Sequence, residues 1–111
     1  MLKMNHYDVD KITTTTPVIP VIVVHNIKDA IFLGRALFDG GITVLEITLR
    51  TPIALEVITI LRKEIPDAII GAGTVCSCKE YSQAVQAGSQ FIMSPGLTSD
   101  LLLTGKKYSI P

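Results

Sequence analysis

Apolar and polar positions alternate along the chain in short blocks. Their period switches between two and about 3.6 residues, the periods of strand and helix. Residues 1–16 form a short amphipathic segment with helical character that closes on Thr13-Thr14-Thr15-Thr16. Pro17-Val18-Ile19-Pro20-Val21-Ile22-Val23-Val24 is the apolar run of a parallel strand buried on both faces, and its two prolines suit a strand start or an edge. Asn26 is placed to cap a helix, with Asp29 in the first turn and Ile27, Ala30, Ile31, Gly34, Leu37 and Phe38 at helical spacing. Gly40-Gly41 stops it.

Val44-Leu45-Glu46-Ile47-Thr48-Leu49-Arg50 is the next strand. Thr51 and Pro52 then suit the cap and first position of a second helix, whose stripe is Ala54, Val57, Ile58, Leu61 and Ile65, closed by Pro66. Ala68-Ile69-Ile70-Gly71-Ala72 is a third strand. Ser77 and Glu80 match a capping box for a third helix that ends at Gly88. Phe91-Ile92-Met93 reads as a fourth strand. Thr98 caps a short helix from Ser99 to Leu103, ahead of Gly105, and Lys106 to Pro111 looks like the approach to a fifth strand.

Strand and helix thus alternate with short connections, which means an α/β fold with a parallel sheet. The repeat suits a (β/α)8 barrel of the TIM type, in which eight units take roughly 200 residues or more. The 111 residues hold the first four βα units and the approach to strand five. The expected organisation is an N-terminal segment, 1–16, and the first half of a barrel, 17–111. Half a barrel leaves two strand edges and an inner face uncovered. An open doubly wound sheet fits the same periodicity.

Composition narrows the classes. Apolar residues make up 48% and charged residues 18%, so a folded core is expected. Net charge is zero, which gives no electrostatic reason to expect nucleic acid or an anionic membrane surface as partner. No apolar run reaches membrane-spanning length, and residues 1–11 lack the apolar core of a signal peptide. Cys76 and Cys78, one residue apart, read as two reduced thiols of a cytoplasmic protein, with no second cluster for zinc.

Chemistry in parallel α/β folds collects at the C-terminal ends of the strands. Alternation puts Leu45, Ile47 and Leu49 on one face of the second strand and Val44, Glu46, Thr48 and Arg50 on the other. Two charges on an otherwise apolar strand need a ligand, water or partners. Arg50 with Thr74 suits a carboxylate or phosphate, and Glu46, its pKa raised by burial, suits proton transfer. The plainer alternative has Arg50 solvated at the sheet mouth and Glu46 paired with a lysine from elsewhere. Gly71-Ala72-Gly73 is short of a phosphate-binding fingerprint and equally fits tight packing of helix on strand. Ser94-Pro95-Gly96 alone is a turn, and His6 and His25 read as surface or structural histidines.

Four stretches in register resemble one family. They are Pro17-Val18-Ile19-Pro20-Val21-Ile22, Leu45-Glu46-Ile47-Thr48-Leu49-Arg50-Thr51, Gly71-Ala72-Gly73-Thr74-Val75 and Ser94-Pro95-Gly96-Leu97-Thr98. From about Thr16 onward the chain is similar to the 2-keto-3-deoxy-6-phosphogluconate (KDPG) and 4-hydroxy-2-oxoglutarate (KHG) aldolases. The resemblance implies a class I aldolase on a (β/α)8 barrel, a homotrimer that needs no metal or other cofactor. Its substrates would be 2-keto acids: KDPG, cleaved to pyruvate and glyceraldehyde 3-phosphate, with extension to KHG, cleaved to pyruvate and glyoxylate. By the same resemblance Glu46 is the general acid/base, Arg50 and Thr74 hold the pyruvate carboxylate, and Pro95 lines the substrate pocket.

The family's Schiff-base lysine lies on a sixth strand in a Phe-Lys-Phe-Phe-Pro context, which is not present in this sequence. Lys28, Lys63 and Lys79 fall on helices, Lys106 and Lys107 precede strand five, and none of these or Lys3 and Lys11 takes the role. The chain therefore looks like the N-terminal half of an aldolase, with clamp and proton shuttle but no nucleophile. A self-associating, non-catalytic half-barrel and an unrelated phosphate-binding α/β module are the competing readings.

Overall fold

The computed structural model describes residues 7–111. Three strands, β1 (Val21–Ile22), β2 (Val44–Thr48) and β3 (Ile69–Gly73), form a parallel sheet in chain order, with Val21 opposite Glu46 and Glu46 opposite Gly71. Residues 90–93 extend it beside β3, with Ala72 bridging Ile92 and backbone bonds from Gln90 N to Ile70 O and from Met93 N to Ala72 O. Helices α1 (Val9–Thr15), α2 (Ile27–Asp39), α3 (Ala54–Glu64), α4 (Cys78–Ala87) and α5 (Ser99–Tyr108) complete the chain. The sheet is open, and the βα succession is that of a partial (β/α)8 barrel.

The helix starts follow from local chemistry. Asn26 accepts from Asp29 N at 2.8 Å, Ser77 from Glu80 N at 3.2 Å and Thr98 from Leu101 N at 3.2 Å. The box at Ser77 is half closed, because the Glu80 carboxylate takes the Ser77 hydroxyl. Gly88 ends α4 in the left-handed region, at φ 106°, where a side chain would be strained.

Two cores flank the sheet. Leu45, Ile47 and Ile70 pack outward with Val57, Ile58 and Leu61 of α3. Val44, Ile69 and Phe91 point the other way and meet Ile12 of α1, which plugs the N-terminal end of the inner face. Burial of such side chains stabilises by roughly 1.5–3 kcal/mol each.

Several expectations need correction. The run 17–24 is not a doubly buried strand. Only Val21 and Ile22 pair, the prolines removing two donors, and Val21 is 60% exposed. The second strand stops at Thr48, so Arg50 lies in the turn beyond it and does not share its face by alternation. Thr51 and Pro52 do not start α3; they form a turn, with Ala54 N bonded to Thr51 O at 3.3 Å, and the helix begins at Ala54. The fourth strand is reduced to one bridge. Gly105 does not end the last helix: α5 runs to Tyr108, and Lys106 and Lys107 sit in its final turn. The cause is tertiary, since a Cβ at Gly105 would lie 3.0 Å from the Tyr81 hydroxyl, so the glycine lets α4 come close. Ser109 then turns the chain, and Pro111 O accepts from Ile92 N at 2.8 Å. Lys3 and His6 lie outside the described residues.

Candidate active site

The inner face of β2 and β3 reads as a column. At its base are Val44, Ile69 and Phe91; above them is Glu46; Thr48, Thr74 and Arg50 stand at the C-terminal end. Parallel register puts Glu46 level with Gly71 and Thr48 level with Gly73, so β3 offers no inward side chain beside the carboxylate. Thr48 is fully buried and donates to Ile22 O at 3.0 Å, tying β2 to β1 below the rim.

Arg50 is exposed and reaches across the strand ends, where its Nε donates to Thr74 Oγ1 at 3.2 Å. Thr74 has φ 59°, in the left-handed region, a position uncommon for a β-branched residue. Strain of this kind persists where the surroundings over-determine the backbone, and functional loops are where it gathers. Leu49 N to Gly73 O at 2.9 Å and Val75 N to Met93 O at 3.1 Å hold the segment on both sides.

Glu46 is half-buried. Desolvation pushes its pKa up, and the Arg50 charge pulls against that rise. Low solvation thus outweighs the neighbouring cation, which is the bias a carboxyl group needs to hold and release a proton near neutral pH. No lysine pairs with it among the described residues: Lys11, Lys28, Lys63, Lys79, Lys106 and Lys107 are all exposed, on helices. The alternative of a Glu46–lysine pair is therefore not realised among the described residues.

Pro95 lies in an exposed turn where Ser94 Oγ donates to Gly96 O at 2.7 Å, beyond the bridge at Ile92. His25 is exposed at the end of the β1 segment. Cys76 and Cys78 are exposed free thiols; Cys76 Sγ lies 3.4 Å from Thr74 O. The described residues hold no group of three His, Cys, Asp or Glu suited to a metal, and no helix long and apolar enough to cross a membrane. A cavity of about 650 Å³ opens elsewhere, between Tyr81, Ile92, Leu101 and Ile110, and none of Glu46, Arg50 or Thr74 lines it.

Pattern reading missed what the two glycines do. Both lie within β3, and their tight packing is not against a helix. A Cβ at Gly71 would lie 2.5 Å from the Phe91 ring, and one at Gly73 would lie 2.8 Å from Glu46 Cδ. The available signal was their spacing: glycines at i and i+2 strip one face of a strand.

Residues 9–111 match the family of KDPG and KHG aldolases. The 2-dehydro-3-deoxy-phosphogluconate aldolase of Pseudoalteromonas atlantica is 53% identical over 94 residues, which are 85% of this chain and 44% of that protein. The KHG/KDPG aldolase of Escherichia coli is 46% identical over 102 residues, 92% of this chain and 48% of its own length. KDPG aldolase from Legionella pneumophila, solved with pyruvate captured as a covalent carbinolamine, superimposes with a TM-score of 0.87 at 48% identity, covering 90% of this chain and 48% of that one. The Zymomonas mobilis enzyme gives 0.89 at 47% identity, over 94% and 50%. The chain thus spans about half the length of the relatives it matches. By the family match, the shared sequence and the common fold, it belongs to the KDPG and KHG aldolase family.

Proposed function

We propose that this chain supplies the keto-acid clamp and the proton-transfer group of a class I aldolase that cleaves KDPG, and by extension KHG, to release pyruvate. The observation that carries the reading is the Arg50–Thr74 hydrogen bond standing at the strand ends above a desolvated Glu46. A guanidinium and a hydroxyl meet a carboxylate through charge-assisted hydrogen bonds. Glu46, below them, takes the proton of the substrate hydroxyl as the carbon–carbon bond breaks and returns a proton to the pyruvate side. Pro95 borders the substrate on the fourth strand end. None of the lysines among the described residues is placed to serve as the amine nucleophile, since each is exposed on a helix.

Exposed Val18, Val21, Leu97 and Leu103 support a homo-oligomer, a trimer by the family pattern, and sedimentation checks it. Two exposed thiols without a disulfide support a cytoplasmic setting.

Pyruvate titration of the 111-residue chain, followed at the amides of Gly73 and Thr74 by NMR, tests the clamp. Saturable shifts that Arg50→Ala abolishes are expected. Shifts unchanged by the substitution, or none in the parent chain, remove Arg50 and Thr74 from the reading. Borohydride added with pyruvate should leave the intact mass at 12.0 kDa. An adduct would mean that one of the chain's own lysines is the nucleophile.

A further inference from the structure

We propose that Gly73 is a positioning residue, the missing side chain of which forms the slot that holds the Glu46 carboxyl group on the inner face. The proposal deepens the reading of Glu46 as the proton-transfer group and rests on it for its catalytic meaning. A Cβ built on Gly73 meets Glu46 Oε1 first, then Cδ at 2.8 Å and Cγ at 2.9 Å, so the outer half of the glutamate lies against this one position. Unrelated Cβ atoms essentially never approach heavy atoms so closely, and the side chain would have to leave.

Gly73 does not have the positive φ of Gly41 and Gly88, so backbone freedom does not account for a glycine there. Its neighbours are locked: Leu49 N donates to Gly73 O at 2.9 Å, and Gly73 is in register with Thr48. The strand cannot yield, but the glutamate can. Gly71, one level down, is filled by the Phe91 ring, which floors the slot. Phe91 is buried, and the positions flanking Glu46 in register, Val21 and Gly71, carry no charge; Arg50 is the charged group that acts on Glu46. The slot therefore sets both the direction of the carboxyl group and its low solvation.

The test is the titration of the Glu46 side-chain carboxyl carbon by NMR in the 111-residue chain, with its Gly73→Ala and Gly73→Ala/Glu46→Ala variants. In the parent the midpoint should lie above that of an ordinary glutamate, about 4.3. Gly73→Ala should return it toward that value, with the fold retained. An unchanged Glu46 midpoint in a folded Gly73→Ala chain would overturn the proposal. If Gly73→Ala fails to fold, folding of Gly73→Ala/Glu46→Ala assigns the clash to Glu46, and failure of both overturns it. The readout uses no turnover, so the slot and the catalytic reading of Glu46 stand or fall separately.

Discussion

Gly71→Ala probes the floor of the site and can be worked through from contacts alone. The added methyl would sit 2.5 Å from three carbons of the Phe91 ring, where ordinary carbon contacts are about 3.5–4.0 Å. The ring must retreat by roughly 1 Å. It is 1% exposed and packed against Ile12, Val44 and Ile69, so retreat compresses the inner core. The strands cannot slide apart cheaply, because Gln90 N bonds Ile70 O at 2.7 Å and Ala72 N bonds Phe91 O at 3.1 Å on either side. Overpacking of this kind costs about 1–3 kcal/mol. Loss of glycine freedom in the unfolded chain offsets about 0.4–1 kcal/mol of it. The net expected loss is roughly 1–2 kcal/mol, a sizeable part of the 5–15 kcal/mol typical of a domain. Urea unfolding followed by far-UV circular dichroism should show the midpoint falling with unchanged slope. Phe91→Leu alone also destabilises, yet the double variant should lose less than the sum of the singles by at least about 0.5 kcal/mol. Additivity within about 0.3 kcal/mol would refute the steric account.

Other outcomes follow from single contacts. Desolvation raises the Glu46 pKa in the folded chain despite Arg50, so the native state binds this proton more tightly than the unfolded one. The stability it contributes is fully present below the ordinary carboxyl range, about 4.3, and is lost as pH rises through the folded value. Glu46→Gln should remove that falling limb from urea midpoints measured across it, and in any chain that also carries the Schiff-base lysine it should cut turnover about 10²–10⁴-fold. Asn26→Ala deletes the cap on Asp29 N and should cost about 1 kcal/mol in the same unfolding assay, against a few tenths for Asn26→Gly. Gly105→Ala should be close to neutral, a helix gain of about 0.8–1 kcal/mol being cancelled by contact with the Tyr81 hydroxyl. In a Tyr81→Phe background, melting temperatures should show the same substitution stabilising.

What could be read along the chain was what neighbouring residues settle among themselves. Asn26, Ser77 and Thr98 cap their helices as expected, because a cap needs only a side-chain oxygen and an amide three residues on. Arg50 and Thr74 meet as expected, since both lie at strand ends that a parallel sheet must bring level. The errors lie where a distant residue decides. The first strand shrinks because its partners, not its apolarity, supply the ladder. Gly105 passes as a helix interior because Tyr81 approaches from α4. The slots at Gly71 and Gly73 depend on cross-strand register, which no local pattern carries.

The two tyrosines on the α4–α5 seam have an optical consequence. The chain has no tryptophan and three tyrosines, so tyrosine dominates the long-wavelength part of its near-ultraviolet signal. Tyr81 and Tyr108 stack with centroids 6.0 Å apart and planes 15° from parallel, each with its hydroxyl hydrogen-bonded: Tyr81 to Ile110 O, Tyr108 to Ser82. Two such chromophores in a fixed, chiral arrangement couple, and burial holds the Tyr81 phenol above its usual pKa. Near-ultraviolet dichroism and alkaline absorbance titration therefore report directly on the docking of the last helix, without an added label.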